Sequence, residues 1–356
     1  MKRSILLLSA IFAVASVGMA QNLNKSEAKA LQSFLKQTSA SGASNGSALN
    51  MIGNNLQGVQ GVKIENGRVT EIDWHGKKLA GPLNLSNFPA LTKINVSGNK
   101  ITSLTVENNP SLVEINASHN RITQVDIAGC PQLQVLRLNR NRIADMDLGA
   151  VPFLKKLNIA GNMFEALDVS NSTNLETLNC MSNRLQQLTV SGCQSLKNLY
   201  AANNELSEIT LAGLTNLLNL NVNSNKIMKL YLQDLPALNT LLCSDNHMVN
   251  LAVNNCKNLS ELWAPYNDLT SFSVENVTQL AFVNLEWNDL TTVMLNNQTY
   301  LQRVNLANNQ LITLDVSFCP MLTTINVTNN DMLNDLRTEG DDMLNHVIGY
   351  DGFEYF

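Results

Sequence analysis

The chain has 356 residues, 44% of them hydrophobic and 15% charged, an apolar share that can bury a full core and excludes a disordered polar chain. Its length fits two ordinary domains or one elongated repeat protein. With 24 Lys and Arg against 29 Asp and Glu, the formal charge is −5, so the chain lacks the basic field that non-specific binding to nucleic acid or an anionic membrane needs.

In chain order, the first element is a leader. Lys2 and Arg3 precede an apolar run from Ile5 to Val17, and Gly18-Met19-Ala20 supplies small residues at a cleavage site, the three parts of a secretory signal. The run is shorter than the ~20 residues a membrane span needs. Cleavage before Gln21 is therefore expected, with export to a periplasmic, cell-surface or secreted location. No cysteine follows the cut to carry a lipid, and no later segment is apolar enough to span a membrane. Asn24 to about Gln37 predicts a short amphipathic helix. Asn24 and Glu27 have capping-box spacing, and Leu31, Phe34 and Leu35 form an apolar face. The Ser-, Gly- and Asn-rich stretch from Thr38 to Ser47 reads as a flexible link. Gly67 to Trp74 then opens an irregular first turn, in which Trp74 replaces a core leucine and Lys77 stands where later turns carry Asn. The helix is expected to cap the open core end of that turn.

From there the chain repeats. Asparagine recurs every 21 residues from Asn99 to Asn330, twelve times without an insertion. Around each runs the pattern L-x-x-L-x-L-x-x-N-x-L, as in Leu133, Leu136, Leu138, Asn141 and Ile143. The L-x-L part has period two and predicts a short strand with alternate residues outward. One turn cannot bury its own apolar face, so neighbouring turns must stack and share a core. The inward Asn amide carries two donors and an acceptor for the backbone of the bend. A second pair, such as Leu167 and Val169 or Leu188 and Val190, predicts an extended segment on the opposite wall, because 21 residues leave little room for a helix. Pro89, Pro110, Pro131, Pro152, Pro236 and Pro320 each lie ten residues before a ladder Asn, in a connecting turn that tolerates a missing N–H.

On these motifs the chain resembles the bacterial secreted leucine-rich-repeat proteins, internalin-like in the broad sense. The likeness is to a short variety with L-D-V-S segments such as Leu167-Asp168-Val169-Ser170 and Leu314-Asp315-Val316-Ser317. It covers about residues 62 to 335. It implies a leucine-rich-repeat solenoid with a parallel β-sheet on its concave side, and binding of a partner through that sheet. No catalytic residue comes with the pattern. The expected organisation is a signal peptide (1–20), an N-terminal helical cap and linker (21–61), the solenoid (62–335) and a C-terminal cap (336–356). That last segment is acidic at Glu339, Asp341 and Asp342 and aromatic at Tyr350, Phe353, Tyr355 and Phe356. Asp341 and Asp342 lack companions at the spacing a calcium loop requires.

Cys130, Cys193, Cys256 and Cys319 share one column of the repeat at 63-residue intervals, and Cys180 and Cys243 share another. Turns stack at ~4.8 Å, so neighbours in a column lie ~14 Å apart, beyond the ~7 Å limit for a disulfide. Only Cys180/Cys193 and Cys243/Cys256 could then bridge, and buried free thiols are expected instead. His75, His119, His247 and His346 have no companions at metal-ligand spacing, and neither a phosphate loop nor a nucleophile motif occurs. No metal, cofactor or enzymatic activity is expected.

The outward strand positions point to where a ligand would sit. Four residues before the ladder Asn, eight of twelve turns carry Asn, and the exceptions are Arg137, Tyr200, Leu242 and Trp263. Trp263 is followed by Pro265 and Tyr266, and the next turn adds Phe282, Glu286 and Trp287, with Glu261 and Asp245 flanking. Exposed aromatics on a rigid sheet are enriched at binding hot spots, so turns nine and ten are expected to hold a ligand surface. A smaller basic group of Arg137, Arg140 and Lys156, with His119, lies toward the N-terminal half. The leading expectation is a non-enzymatic scaffold for a protein partner. The alternative is carbohydrate binding, with Trp263 and Trp287 stacking on sugar rings. A two-carboxylate hydrolase built on Glu261 and Glu286 would have nothing to enclose it from water.

Overall fold

Every turn of the solenoid contributes one short strand to the same sheet. A computed structural model describes residues 23–51, 56, 59–149 and 151–350; the expected leader and the aromatics Phe353, Tyr355 and Phe356 lie outside them. The sheet has fifteen strands. It opens with an antiparallel hairpin of β1 (Val62–Glu65) and β2 (Arg68–Asp73). It continues in parallel through twelve three-residue strands, from Lys93–Asn95 to Thr324–Asn326, and ends at His346–Ile348. The opposite wall is extended as expected, in five separate ribbons of two or three strands. Between the walls lies one continuous aliphatic core. The fold is a leucine-rich-repeat solenoid.

The ladder asparagines act as bolts between turns. In the eleven from Asn120 to Asn330, Nδ2 donates to the carbonyl three residues earlier and to another 24 residues earlier, while Oδ1 accepts the amide 19 residues earlier; at Asn99, which follows the irregular first turn, the two long steps are 25 and 20 residues. For Asn225 these partners are Val222 (3.0 Å), Ala201 (3.1 Å) and Leu206 (3.1 Å). One buried side chain thereby satisfies three backbone groups at a bend whose strands have ended, two of them in the preceding turn.

The eight outward asparagines also have backbone work. Asn95, Asn116, Asn158, Asn179, Asn221, Asn284, Asn305 and Asn326 each accept, through Oδ1, the amide two residues on. These are Asx turns that start the bend, so the fold dictates this column in most turns. On the far wall the aspartates of the L-D-V-S segments do the same: Asp168 accepts from the Ser170 amide and Asp315 from that of Ser317.

The second bend has its own column of bolts. The Sγ atoms of Cys130, Cys193 and Cys319 each donate to a carbonyl 24 residues earlier, at 3.1 to 3.2 Å. Asn109 fills the same role with a full amide. All six cysteines are buried and unpaired, and burial pushes the Cys180 thiol up to about 12. A thiol-specific reagent at neutral pH should label none of the six until the protein is denatured; rapid labelling of the native chain would contradict the burial. Asp341 closes this column. Its Oδ1 accepts the Cys319 amide at 2.6 Å, while its Oδ2 is buried without a partner. Burial raises its carboxyl to about 6, against the bond from Cys319 and with help from Glu339, Asp315 and Asp342. A folded-state value above the ordinary ~4 means that the native chain holds this proton more tightly. The stability it contributes is therefore full below about pH 4 and lost as pH rises through about 6. Asp341→Asn should abolish that decline and raise stability at pH 7 by about 1 kcal/mol, since the amide restores a donor. Thermal unfolding of both chains from pH 4 to 8 checks it, and parallel pH profiles would contradict it.

The N-terminal end is a folded cap. Helix α1 (Lys25–Leu35) begins at Asn24, whose Oδ1 accepts the Ser26 and Glu27 amides. The reciprocal half of the expected capping box is missing. The buried Glu27 carboxylate instead accepts from Arg68 Nη1 (2.9 Å) and the Val69 amide (2.8 Å), which ties the helix to β2. The stretch from Thr38 to Ser47, expected as a flexible link, is folded too. It holds a Thr38–Ser44 bridge and helix α2 (Asn45–Ala48). Fully buried Asn45 donates to the Phe34 and Ala80 carbonyls and accepts the Ala80 amide. Trp74 is fully buried, stacks on Phe34 at 5.7 Å, and donates Nε1 to the Gln60 carbonyl. At the other end, pairing runs past residue 335, where the sequence pattern decays. Thr324 pairs with His346, one residue out of the 21-residue period, so the expected C-terminal cap includes a further strand of the same sheet.

Candidate binding surface on the concave sheet

Trp263 ends the strand Glu261–Trp263, at the position where eight other turns carry a turn-forming Asn. The substitution costs this turn nothing. The residue two further on is Pro265, which has no N–H for an Asn to accept. Leu242 gives up the same bond, and there the Ser244 amide is taken by Asn223 Oδ1 of the preceding turn, at 2.8 Å. At these two exceptions the bend does without the missing Asn, and the outward position is open to another side chain.

Four aromatic rings lie across turns nine and ten. Trp263 packs on Phe282 of the next strand, with centroids 4.4 Å apart and planes tilted by 31°. Tyr266 and Trp287, the residues just before ladder Asn267 and Asn288, stack at 5.9 Å and 12°. The two tryptophans, which a sugar-stacking reading would pair, belong to different aromatic pairs. Tyr266 and Trp287 remain 54% and 50% exposed, although their stacking offers each some cover.

The backbone at this column is left-handed in all twelve turns, with φ from 53° to 68°. The usual occupants are Gly, Ser, Asn or Asp, with His119 and Arg140 besides. A bulky side chain is disfavoured there by about 1 kcal/mol or more. Tyr266 and Trp287 are therefore doubly unfavourable to the fold: strained in backbone and half exposed in side chain.

The polar neighbours sort themselves by partner. The Glu286 carboxylate accepts from the side-chain Nδ2 of Asn284 (3.3 Å) and of Asn305 (3.0 Å), which fixes it beside the aromatic group. Glu261 and Asp245 are exposed at the margin. Leu242 is half-buried in register with Trp263, while Tyr200 lies three turns away, at ~14 Å, and does not join the group. Arg137 and Arg140 are six turns from it. Arg137 is engaged by Glu114, which Lys93 also reaches at 3.2 Å. Burial pushes the Glu114 carboxyl up, but the bonds from Arg137 and Lys93 outweigh it and hold it below its ordinary value. The N-terminal basic group is thus partly neutralised within the sheet.

A second exposed apolar group escaped the sequence reading. Met228, Tyr231 and Val249, exposed by 60%, 73% and 45%, line a groove on the opposite wall. Tyr231 sits where the ribbon ending at Leu230 gives way to the one starting at Leu232. The signal was present in the columns: turns two to six carry Thr, Ala, Glu, Gln and Ser where Met228 stands. Among the described residues no cluster of His, Cys, Asp or Glu could hold a metal ion, and no helix is long and apolar enough to cross a membrane.

No family model matches the sequence, and no curated protein matches it. Solved structures do. YopM, a leucine-rich effector protein from Yersinia pestis, is 23% identical with a TM-score of 0.63, over 78% of this chain and 76% of that one. A leucine-rich-repeat protein of Leptospira interrogans is 21% identical with a TM-score of 0.51, over 74% and 83%. The functional domain of InlJ from Listeria monocytogenes is 24% identical with a TM-score of 0.49, over 77% of this chain, which spans 54% of that domain. The chain shares its fold with bacterial leucine-rich-repeat proteins.

Proposed function

We propose that the protein is a non-enzymatic, exported scaffold that takes a protein partner on the concave face over turns nine and ten. The observation that carries this reading is the Tyr266–Trp287 stack, half exposed in a column where the backbone disfavours both residues. Trp263 and Phe282 add a second aromatic pair on the strands of the same two turns. Large aromatics on a rigid sheet lose little conformational freedom on binding and serve as anchors. Glu261, Asp245 and Glu286 form its polar margin. The likeness to an effector protein is in keeping with a binding role, and the leader expected at residues 1–20 with export.

The test is partner capture by the full chain and by Trp263→Ala/Trp287→Ala, with circular dichroism showing that both are folded. Anchors of this kind are each worth about 2 kcal/mol, or some thirtyfold in affinity, so capture should disappear. A Met228→Ser/Tyr231→Ser variant of the opposite wall should capture as well as the parent. Undiminished capture by the tryptophan variant would overturn the reading.

A further inference from the structure

The residue just after each ladder Asn forms an exposed column along one rim of the sheet, and its charges are segregated. In the first five turns it carries Lys100, Arg121, Arg142 and Arg184, interrupted only by Met163. In the last four it carries Asp268, Asp289 and Asp331, interrupted only by Gln310. The seven charged residues are all exposed. The bend position two residues earlier repeats the sense, with Arg140 in the basic half and Asp245 in the acidic half. Between the halves, Glu205 and Lys226 neutralise each other at 2.9 Å. His247, with Nδ1 3.5 Å from Asp268, occupies the same column in the turn between Lys226 and Asp268. Among the described residues, none of the four cations of the basic half, Lys100, Arg121, Arg142 and Arg184, lies within 4.0 Å of a carboxylate.

The fold does not ask for this pattern, since Met163, His247 and Gln310 occupy the same column. Parallel stacking sets equivalent residues of adjacent turns ~4.8 Å apart, so Arg121 beside Arg142 and Asp268 beside Asp289 repel within one chain. A line that is positive in one half and negative in the other is complementary to itself when reversed. With a two-fold axis at the Glu205–Lys226 pair, Lys100 faces Asp331 and Arg142 faces Asp289. Arg121 and Arg184 lie opposite Gln310 and His247, each within one turn of a carboxylate. We infer that this rim is an isologous interface, through which two copies of the chain associate side by side in opposite directions. It is distinct from the concave aromatic surface, and either can fail without the other.

The full chain should sediment as a dimer at about 0.05 M salt and shift toward monomer at about 0.5 M, where the Debye length falls below ~5 Å. Arg121→Glu/Arg142→Glu/Arg184→Glu gives both halves of the rim a net negative charge, and Asp268→Lys/Asp289→Lys/Asp331→Lys gives both a net positive one; each variant should be monomeric alone. Mixed in equal amounts they should form a 1:1 heterodimer, which an unfolded or non-specifically charged chain would not do. A parent that is monomeric at low salt, a dimer that survives both reversals, or a mixture that stays monomeric would each overturn the inference.

Discussion

Trp74→Ala is expected to lower the unfolding free energy of the N-terminal turns by about 3–5 kcal/mol, as for other buried aromatics. Trp74 is fully buried, stacks on Phe34 and bonds the Gln60 carbonyl, so truncation leaves a cavity and an orphaned acceptor together. The loss should be local. In a solenoid each turn leans on its neighbours, so hydrogen exchange should accelerate in α1 and the first turns while the strands near Asn225 keep their protection. Uniform acceleration along the chain would show that the cap governs the whole molecule.

Asn225→Ala should cost about 1–3 kcal/mol, because three buried backbone groups lose their partner at once. Asn221→Ala, four residues earlier, removes a single Asx bond at an outward position and should cost less than about 1 kcal/mol. Chemical denaturation of the two variants gives the comparison directly. Equal losses would contradict the distinction between a ladder residue that joins two turns and one that shapes a single bend.

That distinction marks the limit of what the sequence made legible. The solenoid, its register and the inward Asn were readable because the 21-residue period ties residue type to side-chain direction. The outward Asn column was readable as a position but not as a role, since an amide that starts a turn and one that greets a ligand look alike. Only the partners show that the Asn residues serve the bend, and that Trp263 is released from that duty by Pro265. Tyr266 and Trp287 were legible as exposed aromatics. Their backbone strain was not, because a left-handed bend shared by Gly, Arg and Trp has no single residue signature. Composition misled at Thr38 to Ser47, where Ser, Gly and Asn mark turns but cannot reveal that Asn45 is buried and bonds both α1 and the first turn.

On the proposed reading, Tyr266 and Trp287 serve a partner and not the fold. Its most direct test needs no partner: the equilibrium unfolding of Tyr266→Asn/Trp287→Asn, which puts at both positions the residue already present at Asn203, Asn308 and Asn329. Relief of about 1 kcal/mol of backbone strain at each site offsets the lost stacking of ~0.5–1.5 kcal/mol, so the variant should be as stable as the parent or more so. A loss of several kcal/mol would make the pair a structural element and contradict the account.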